Sequence, residues 1–571
     1  MQLARPLSGA FLLLLVWWSL TGCDTASRVQ PQLQPVRPPV HAIASAHPLA
    51  TAAGMEVLAA GGNAFDAAIA VSAALAVVEP YSSGLGGGGF WLLHRASDSN
   101  QLMIDGRERA PLAAHRDLYL DNSGEVIPGL SMNGALAAGI PGEPAALAHM
   151  AEHYGVLALR QSLAPAIRLA EEGFPVDAHY RRMAQFRLAV LQEFESSEAI
   201  FLDFGDVPEE GALIKQPQLA RTLRLLGAHG HNGFYAGETA EKLVAGVRAA
   251  GGIWTLEDLQ DYQVVERPAL TFSYLDLRIV SAPPPSSGGV ALATMLHILE
   301  GFELGESGEA ERVHYIVEAM RRAYRDRAEY LGDPDFVQIP LERLLDPGYA
   351  AGLRASISRD RATPSRLLAS PGIDAVTGNH TTHFSILDRD GNRVAATLSI
   401  NYPFGSGFVA PGTGVLLNDE MDDFSARSGT PNAYGLVGAE ANAIAPGKRP
   451  LSSMSPTFIE SEAGTGVLGT PGGSRIITMV MLGILDAAQG KGPASWVALP
   501  RFHHQYLPDL IEFEPGAISN PALDDLRGRG HELKALESQY GNMQALYWDY
   551  RRNQVEIASD PRGIGSAAVS R

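Results

Sequence analysis

Asn379-His380-Thr381-Thr382-His383-Phe384-Ser385 is the point at which the texture of the chain changes. From Thr381 onward, short β-type runs follow one another at His383–Asp388, Arg393–Ile400, Gly414–Leu417, Thr457–Glu460 and Gly466–Gly469. Turn signals such as Asp390-Gly391-Asn392 separate them. Ile476–Gln489 reads as a helix, and Leu510–Glu514 and Val555–Ala558 as further strands. Before Thr381, residues 145–370 read as mostly helical with a few strands, and Glu311–Tyr330 as one long helix with arginines on its polar side. Strand runs and helical runs are segregated. This predicts an α+β fold built in layers, not alternating β-α units.

Further toward the N-terminus, residues 47–79 read as two helices broken at Gly61-Gly62-Asn63, with Ala52, Met55 and Leu58 at helical spacing in the first. The second, Ala64–Val78, is apolar almost all round, which predicts burial on most sides. Ser82-Ser83-Gly84-Leu85-Gly86-Gly87-Gly88-Gly89 then leads into the strand-like Phe90-Trp91-Leu92-Leu93. Gly84–Gly89 formally contains G-x-G-x-x-G. The dinucleotide fingerprint needs a strand before it and a helix after it. Here the order is reversed, so the run predicts a tight turn with close backbone packing.

The 571 residues are 46% apolar, enough for a large core, and show no internal repeat. Lys and Arg number 44 against 63 Asp and Glu, a net charge of -19. That balance argues against a nucleic-acid partner, which needs clustered cations. The single cysteine, Cys23, excludes an intramolecular disulfide. It follows the apolar run Phe11–Leu20, which is too short to span a bilayer comfortably. Leu20-Thr21-Gly22-Cys23 resembles a bacterial lipobox, in which the cysteine is acylated; the alternative is an ordinary secretion signal with a chance cysteine. The expected layout is a signal peptide over residues 1–23, lipidation at Cys23, and a Pro- and Gln-rich flexible tether over 24–40. Asp24 resembles an inner-membrane retention signal of Gram-negative lipoproteins, so the expected location is periplasmic, anchored to the inner membrane.

A threonine hydroxyl is a poor nucleophile unless a base takes its proton. A free α-amine titrates near about 7.7–8.0, whereas a peptide nitrogen has no basicity. If the bond between His380 and Thr381 were cut, Thr381 would carry its own base; otherwise the threonine pair is structural. Asn379-His380-Thr381 also matches a glycosylation sequon, discounted in a chain with a lipobox. Gly472 and Gly473, in Gly469-Thr470-Pro471-Gly472-Gly473-Ser474, end a strand and open a helix. They either present bare N–H groups to a developing oxyanion or form a tight turn. Glu420-Met421-Asp422-Asp423 is either an ammonium site or a solvated cap. Arg107 either holds a carboxylate through its two-pronged guanidinium or is one more surface arginine.

From about His47 to the C-terminus the chain resembles the γ-glutamyltransferase (γ-glutamyltranspeptidase) family of N-terminal-nucleophile hydrolases. The resemblance is carried by Ser45-Ala-His-Pro-Leu-Ala-Thr51, Gly61-Gly-Asn-Ala-Phe-Asp66, Pro284-Pro-Ser-Ser-Gly-Gly289, Thr381-Thr-His383, Asn418-Asp-Glu-Met-Asp-Asp-Phe424, Arg449-Pro-Leu-Ser-Ser-Met-Ser-Pro456 and Pro471-Gly-Gly-Ser-Arg475. It implies a four-layer αββα sandwich made by self-cleavage into a helix-rich large subunit, 41–380, and a small subunit, 381–571. Thr381 would be the nucleophile, with Gly472 and Gly473 as oxyanion donors. Arg107, Ser452 and Ser453 would meet the donor's α-carboxylate, and Asn401, Glu420 and Asp423 its α-amine. Tyr434 falls in the loop that covers the donor. The family carries a second threonine near the nucleophile; this chain has Ser399, which keeps the orienting hydroxyl but lacks the methyl.

The implied activity is transfer of a γ-glutamyl group, from glutathione and related amides, to water or to an amino acid or peptide acceptor, with no cofactor and no metal. The nearest rivals are a cephalosporin acylase-like enzyme and a polyglutamate depolymerase. Arg107 and Asp423 favour a donor with a free α-carboxylate and α-amine. A binding protein on an inactive scaffold would not need Thr381, Gly472 and Gly473 intact. No G-x-S-x-G elbow or H-E-x-x-H zinc motif is present.

Overall fold

The computed structural model describes residues 37–368 and 381–571. The signal segment with Cys23 and Asp24, the tether as far as Val36, and His380 lie outside the described residues.

Two antiparallel sheets form the centre. Their strands, in chain order, are β1 (His41–Ser45), β2 (Gly88–Arg95), β3 (Asn100–Gly106), β4 (Val265–Pro268), β5 (Leu270–Tyr274), β6 (Leu277–Ser281), β7 (Thr382–Leu387), β8 (Arg393–Ser399), β9 (Thr457–Glu460), β10 (Gly464–Gly469), β11 (Gln544–Asp549), β12 (Gln554–Ser559) and β13 (Ser566–Ser570). The seven-stranded sheet runs β13-β1-β7-β8-β2-β3-β4 and the six-stranded sheet β12-β11-β10-β9-β6-β5. Side chains alternate between the faces of a strand. Along the seven-stranded sheet, Ile43, Trp91, Leu93, Phe384, Ile386, Val394 and Ala396 therefore enter one core. Ala42, Phe90, Leu92, Leu387 and Ala395 enter another, shared with the six-stranded sheet. The first core is closed by helices α1 (Pro48–Ala59) and α2 (Ala64–Val78). The second is closed by α3 (Gly288–Leu299), α4 (Glu309–Tyr330) and α5 (Ile476–Ala488). The layers are thus helix, sheet, sheet, helix.

Every residue of α2 is buried, as its uniformly apolar sequence requires. Its start is fixed by a capping box: the Asn63 side chain accepts from the N–H groups of Phe65 and Asp66, and Asp66 accepts from the Asn63 N–H. The glycine run is a packing device. A Cβ on Gly86 would stand 1.9 Å from the Leu416 carbonyl oxygen, and one on Gly87 2.2 Å from that of Ser399. No nucleotide is needed to explain it.

Some strands were not placed from the sequence. β4, β5 and β6 lie inside the helix-rich stretch; β4 ends one sheet and β5 begins at the edge of the other, with only Ala269 between. β1 and β13 pair with each other at the margin of the seven-stranded sheet. Gly414–Leu417 narrows to a two-residue strand, Val415–Leu416, and Leu510–Glu514 to Ile511–Phe513. The segments on either side of Thr381 are interleaved. β7 and β8 sit between β1 and β2, and β9 pairs with β6. A break before Thr381 would leave two chains sharing both sheets.

Candidate active site

Thr381 immediately precedes β7 and is 6% exposed. Thr382 pairs with Leu398 and His383 with Thr397, so continuing the register by one residue sets Ser399 opposite Thr381. Alternation puts Thr381, His383 and Ser385 on the face turned toward the second sheet, where Ser385 Oγ donates to the Gln544 carbonyl. His383 bonds Thr397 Oγ1 at 2.8 Å, and its ring lies on Gly469, where a Cβ would come within 2.2 Å of it. Burial pushes its pKa down to about 3, so the ring is neutral and serves as strand packing. The Ser399 hydroxyl accepts from the Asn401 N–H at 2.8 Å, which leaves its own proton directed elsewhere.

Beyond Gly469, the chain turns through Gly472 and Gly473 into α5. Their φ angles are 146° and 54°, in the region that favours glycine. A Cβ on Gly473 would stand 2.5 Å from the Tyr434 ring. The turn thus sets two successive glycines just ahead of a helix start.

A small cavity of about 20 Å3 brings together Arg107, Thr381, Ser399, Asn401, Glu420, Asp423, Tyr434, Ser452, Ser453 and Gly473. Gly472 lines an adjoining cavity that also reaches Thr381. Residues chosen from scattered motifs thus converge on one threonine. Arg107 follows β3 directly and is 1% exposed, so the surface-arginine alternative is excluded. Glu420 is buried as well, which removes the reading of the acidic cluster as a solvated cap.

The electrostatics differ from the division of labour that the resemblance implies. The Arg107 guanidinium is already engaged, by Asp423 at 2.5 Å, Glu420 at 2.6 Å and Glu108 at 3.3 Å, with Nε donating to the Pro450 carbonyl. Burial opposes its charge, but the three carboxylates outweigh burial and hold its pKa above the ordinary value. Burial raises Glu108 and Glu420, against the pull of Arg107. The closed pocket is an internally neutralised cluster, and a zwitterionic ligand entering it would exchange these pairs for its own.

Tyr434 roofs the pocket. Its hydroxyl donates to the Asn401 carbonyl at 2.5 Å, and Asn432 ties the same loop to Asp423 at 3.0 Å. Asn401 has φ 72°, unusual outside glycine and consistent with strain held at a site. Ser452 and Ser453 are held by the loop Pro284–Gly289: the Ser287 N–H and hydroxyl both donate to the Ser452 carbonyl.

Three contributors were missed from sequence. Arg327, on α4, is buried and donates to Ser287 Oγ at 3.0 Å and Ser453 Oγ at 3.4 Å. Glu108 completes the cluster around Arg107. Glu79, which ends α2, is 3% exposed and accepts from the Thr382 hydroxyl at 2.7 Å. Only the adjacency of Glu108 to Arg107 was visible in one dimension.

Burial raises the Glu79 carboxyl to about 7, opposed by Thr382 and helped by Asp177. Unfolded, it would ionise near 4.5. Between these values the folded chain binds more protons than the unfolded one, so this group's contribution is present below pH 4.5 and lost as pH rises through 7. Glu79→Gln should therefore be more stable than the parent at pH 8, by on the order of 3 kcal/mol, and show little gain at pH 4.5. Thermal melts at the two pH values check this; a gain independent of pH would contradict it.

Among the described residues one His/Glu cluster has the spacing of a metal site, His314, Glu318 and His531. Most of its polar atoms are already engaged. His314 and His531 bond each other at 2.7 Å, and Glu318 is paired with Arg321 and Arg322. The arrangement braces α4.

A sequence model described as gamma-glutamyltranspeptidase matches residues 50–570. The chain is 47% identical to a glutathione hydrolase proenzyme of Pseudomonas sp. (strain A14) over 486 residues, covering 84% of each. It is 41% identical to the glutathione hydrolase proenzyme of Escherichia coli (strain K12), covering 93% of this chain and 92% of the relative. Among solved structures, a cephalosporin acylase from Bacillus halodurans superposes with a TM-score of 0.81 at 28% identity, over 95% of this chain and 99% of that one. A Helicobacter pylori gamma-glutamyltranspeptidase chain gives 0.56 at 39% identity, over 57% of this chain and 94% of that one.

Proposed function

The chain belongs to the gamma-glutamyltranspeptidase family, and on that premise we propose that it cuts itself between His380 and Thr381 and then moves γ-glutamyl groups through an ester on Thr381. The observation that carries this reading is the convergence of Thr381, the Gly472-Gly473 turn and the Arg107–Asp423 pocket. In the intact chain the Thr381 nitrogen is part of a peptide bond and cannot act as a base. Cleavage would free it as an amine near about pKa 8, able to take the hydroxyl proton as Oγ attacks the γ-carbonyl. The N–H groups of Gly472 and Gly473 would hold the oxyanion. Arg107, Ser452 and Ser453 would receive the donor's α-carboxylate, and Asn401, Glu420 and Asp423 its ammonium, under the Tyr434 roof. Glutathione is the donor we favour, since the relatives named above are glutathione hydrolases. Water or an amino acid or peptide then resolves the ester.

The decisive experiment is an assay of the purified protein with a chromogenic γ-glutamyl anilide, with and without glycylglycine. Release of the aniline, accelerated by glycylglycine, is expected. No release would contradict the proposal. A cephalosporin acylase-like activity is the second reading, favoured by the superposition on that enzyme. An anilide of glutaric acid, which lacks the α-amine, separates the two: the acylase would accept it and the γ-glutamyl enzyme would not.

Ser399 supplies the hydroxyl opposite Thr381. Loss of one oriented hydrogen bond costs about 1–3 kcal/mol, so Ser399→Ala should slow self-cleavage about 5- to 150-fold. Ser399→Thr should cleave at least as fast as the parent. A gel time course of precursor disappearance checks both, and Ser399→Ala cleaving at the parental rate would remove Ser399 from the mechanism.

We place the enzyme outside the cytoplasmic membrane, held by acyl chains on Cys23. Several chains anchor firmly where a single one binds marginally. Cys23→Ala should then leave the membrane fraction for the soluble periplasmic fraction. Equal solubility of variant and parent would contradict the anchor.

A further inference from the structure

Away from Thr381, a cavity of about 540 Å3 opens between the C-terminal ends of α3 and α5 and the start of α4. Its volume falls within the roughly 300–1,000 Å3 of small-molecule sites. None of its lining residues lines either cavity at Thr381. The separation is set by α5. Its 13 residues span about 20 Å, from beside the Gly472-Gly473 turn to this wall.

Leu299, Val313, Ile316, Leu485 and Phe502 are buried and give the cavity an apolar inner surface. Into that surface is set the carboxylate of Asp486. Asp486 is 8% exposed, and its Oδ2 has no hydrogen-bond partner among the described residues. Two physical rules are broken at this residue. A buried carboxylate oxygen without a partner costs free energy. An acid in the last turn of a helix stands at the negative end of the macrodipole, and Asp486 is in the last turn of α5. The side chain does no capping that would offset this. Its backbone carbonyl is satisfied separately, by the N–H groups of Gln489 and Lys491. Such departures from local consistency concentrate where a fold is shaped for a ligand.

The surrounding field has the same sign. α3 also brings its C-terminal end to the wall, at Leu299 and Glu300. Glu300, Glu303 and Glu309 join Asp486, against Arg312 as the one lining cation. Arg312 is exposed, so its charge is solvated. The positive N-terminus of α4 is countered by Glu309 and Glu311 in its first turn. An apolar chamber with a negative potential and one unpaired buried carboxylate matches a cation that carries an apolar body.

We propose that this cavity binds a small organic ammonium ion, with the charged nitrogen on Asp486 Oδ2 and the apolar body against Leu485 and Phe502. The site stands apart from the chemistry at Thr381 and involves no covalent step.

The test titrates n-octylamine calorimetrically into the purified protein with no γ-glutamyl donor present. n-Octanol and n-octanoate share its chain but lack the positive charge. The amine should bind tighter than either by about tenfold or more, the scale of one charge pair in a partly solvated site. Asp486→Asn keeps the shape of the side chain and should bring the amine down to the affinity of n-octanol. Without ligand this variant should melt no lower than the parent, because an unpaired charge has been removed, and should hydrolyse the anilide at the parental rate. Leu482→Trp, which fills the chamber from α5, should weaken the amine and the alcohol together. Asp423→Ala should bind n-octylamine as the parent does, since the carboxylates beside Thr381 belong to another cavity. No binding of n-octylamine to the parent, equal affinity for n-octanol, or an unchanged affinity in Asp486→Asn overturns the site. Loss of amine binding in Asp423→Ala alone would move the amine to the pocket at Thr381 and overturn it as well.

Discussion

Thr381→Ala is expected to remain a single chain and to lose at least about a thousandfold in γ-glutamyl anilide hydrolysis, as removal of a covalent nucleophile does elsewhere. Two losses combine in this variant. No hydroxyl remains to attack the preceding carbonyl, so the α-amine is never released. No hydroxyl remains to form the ester either. The fold should survive, because Thr381 stands before β7 and the core contacts of that strand begin with Phe384 and Ile386. A melting temperature near that of the parent together with an unprocessed band would locate the defect in chemistry. A processed, active Thr381→Ala would remove the nucleophile from the account.

Asp423→Ala should lose about 30- to several-thousand-fold in kcat/KM for the anilide, the equivalent of about 2–5 kcal/mol for leaving a buried charge unpaired. The structure adds a reason beyond the donor's ammonium. Asp423 carries one contact of the Arg107 fork at 2.5 Å and, through Asn432, the loop that presents Tyr434. Its removal therefore unpairs Arg107 and loosens the roof together. Asp423→Asn keeps a bond to Arg107 through the amide oxygen and should lose less. Arg107→Lys keeps the charge but not the fork, so weaker donor binding is expected there as well. All three should still self-cleave, since the donor pocket is not needed to break the bond before Thr381. If processed Asp423→Ala hydrolyses the anilide as well as the parent, the ammonium contact is wrong and the acylase reading moves ahead.

What could be read in one dimension was local. The uniformly apolar Ala64–Val78 marked a buried helix, and Gly84–Gly89 a close backbone approach. The α+β class followed from the segregation of strand and helix runs. Site residues such as Asn401 and Ser399 came only through resemblance to a family. Nothing in their neighbourhood announces that Asn401 adopts φ 72° or that Ser399 lies opposite Thr381. Contacts between distant segments were invisible. Arg107 meets Asp423 across 316 positions, and Thr382 meets Glu79 across 303. Arg327 looked like one more cation on the polar side of a long helix; only its burial against Ser287 and Ser453 distinguishes it. The strand pair β4 and β5 was hidden because Pro268 and Ala269 mark a crossing between sheets, where neither hairpin turn chemistry nor long alternation is required.

The most direct test of the central claim is the N-terminal sequence of the smaller chain in purified, active protein. The account predicts Thr-Thr-His-Phe-Ser, beginning at Thr381, because only a free amine on that residue supplies the base its hydroxyl needs. A small chain beginning at any other residue, or full activity in an uncleaved chain, would contradict it.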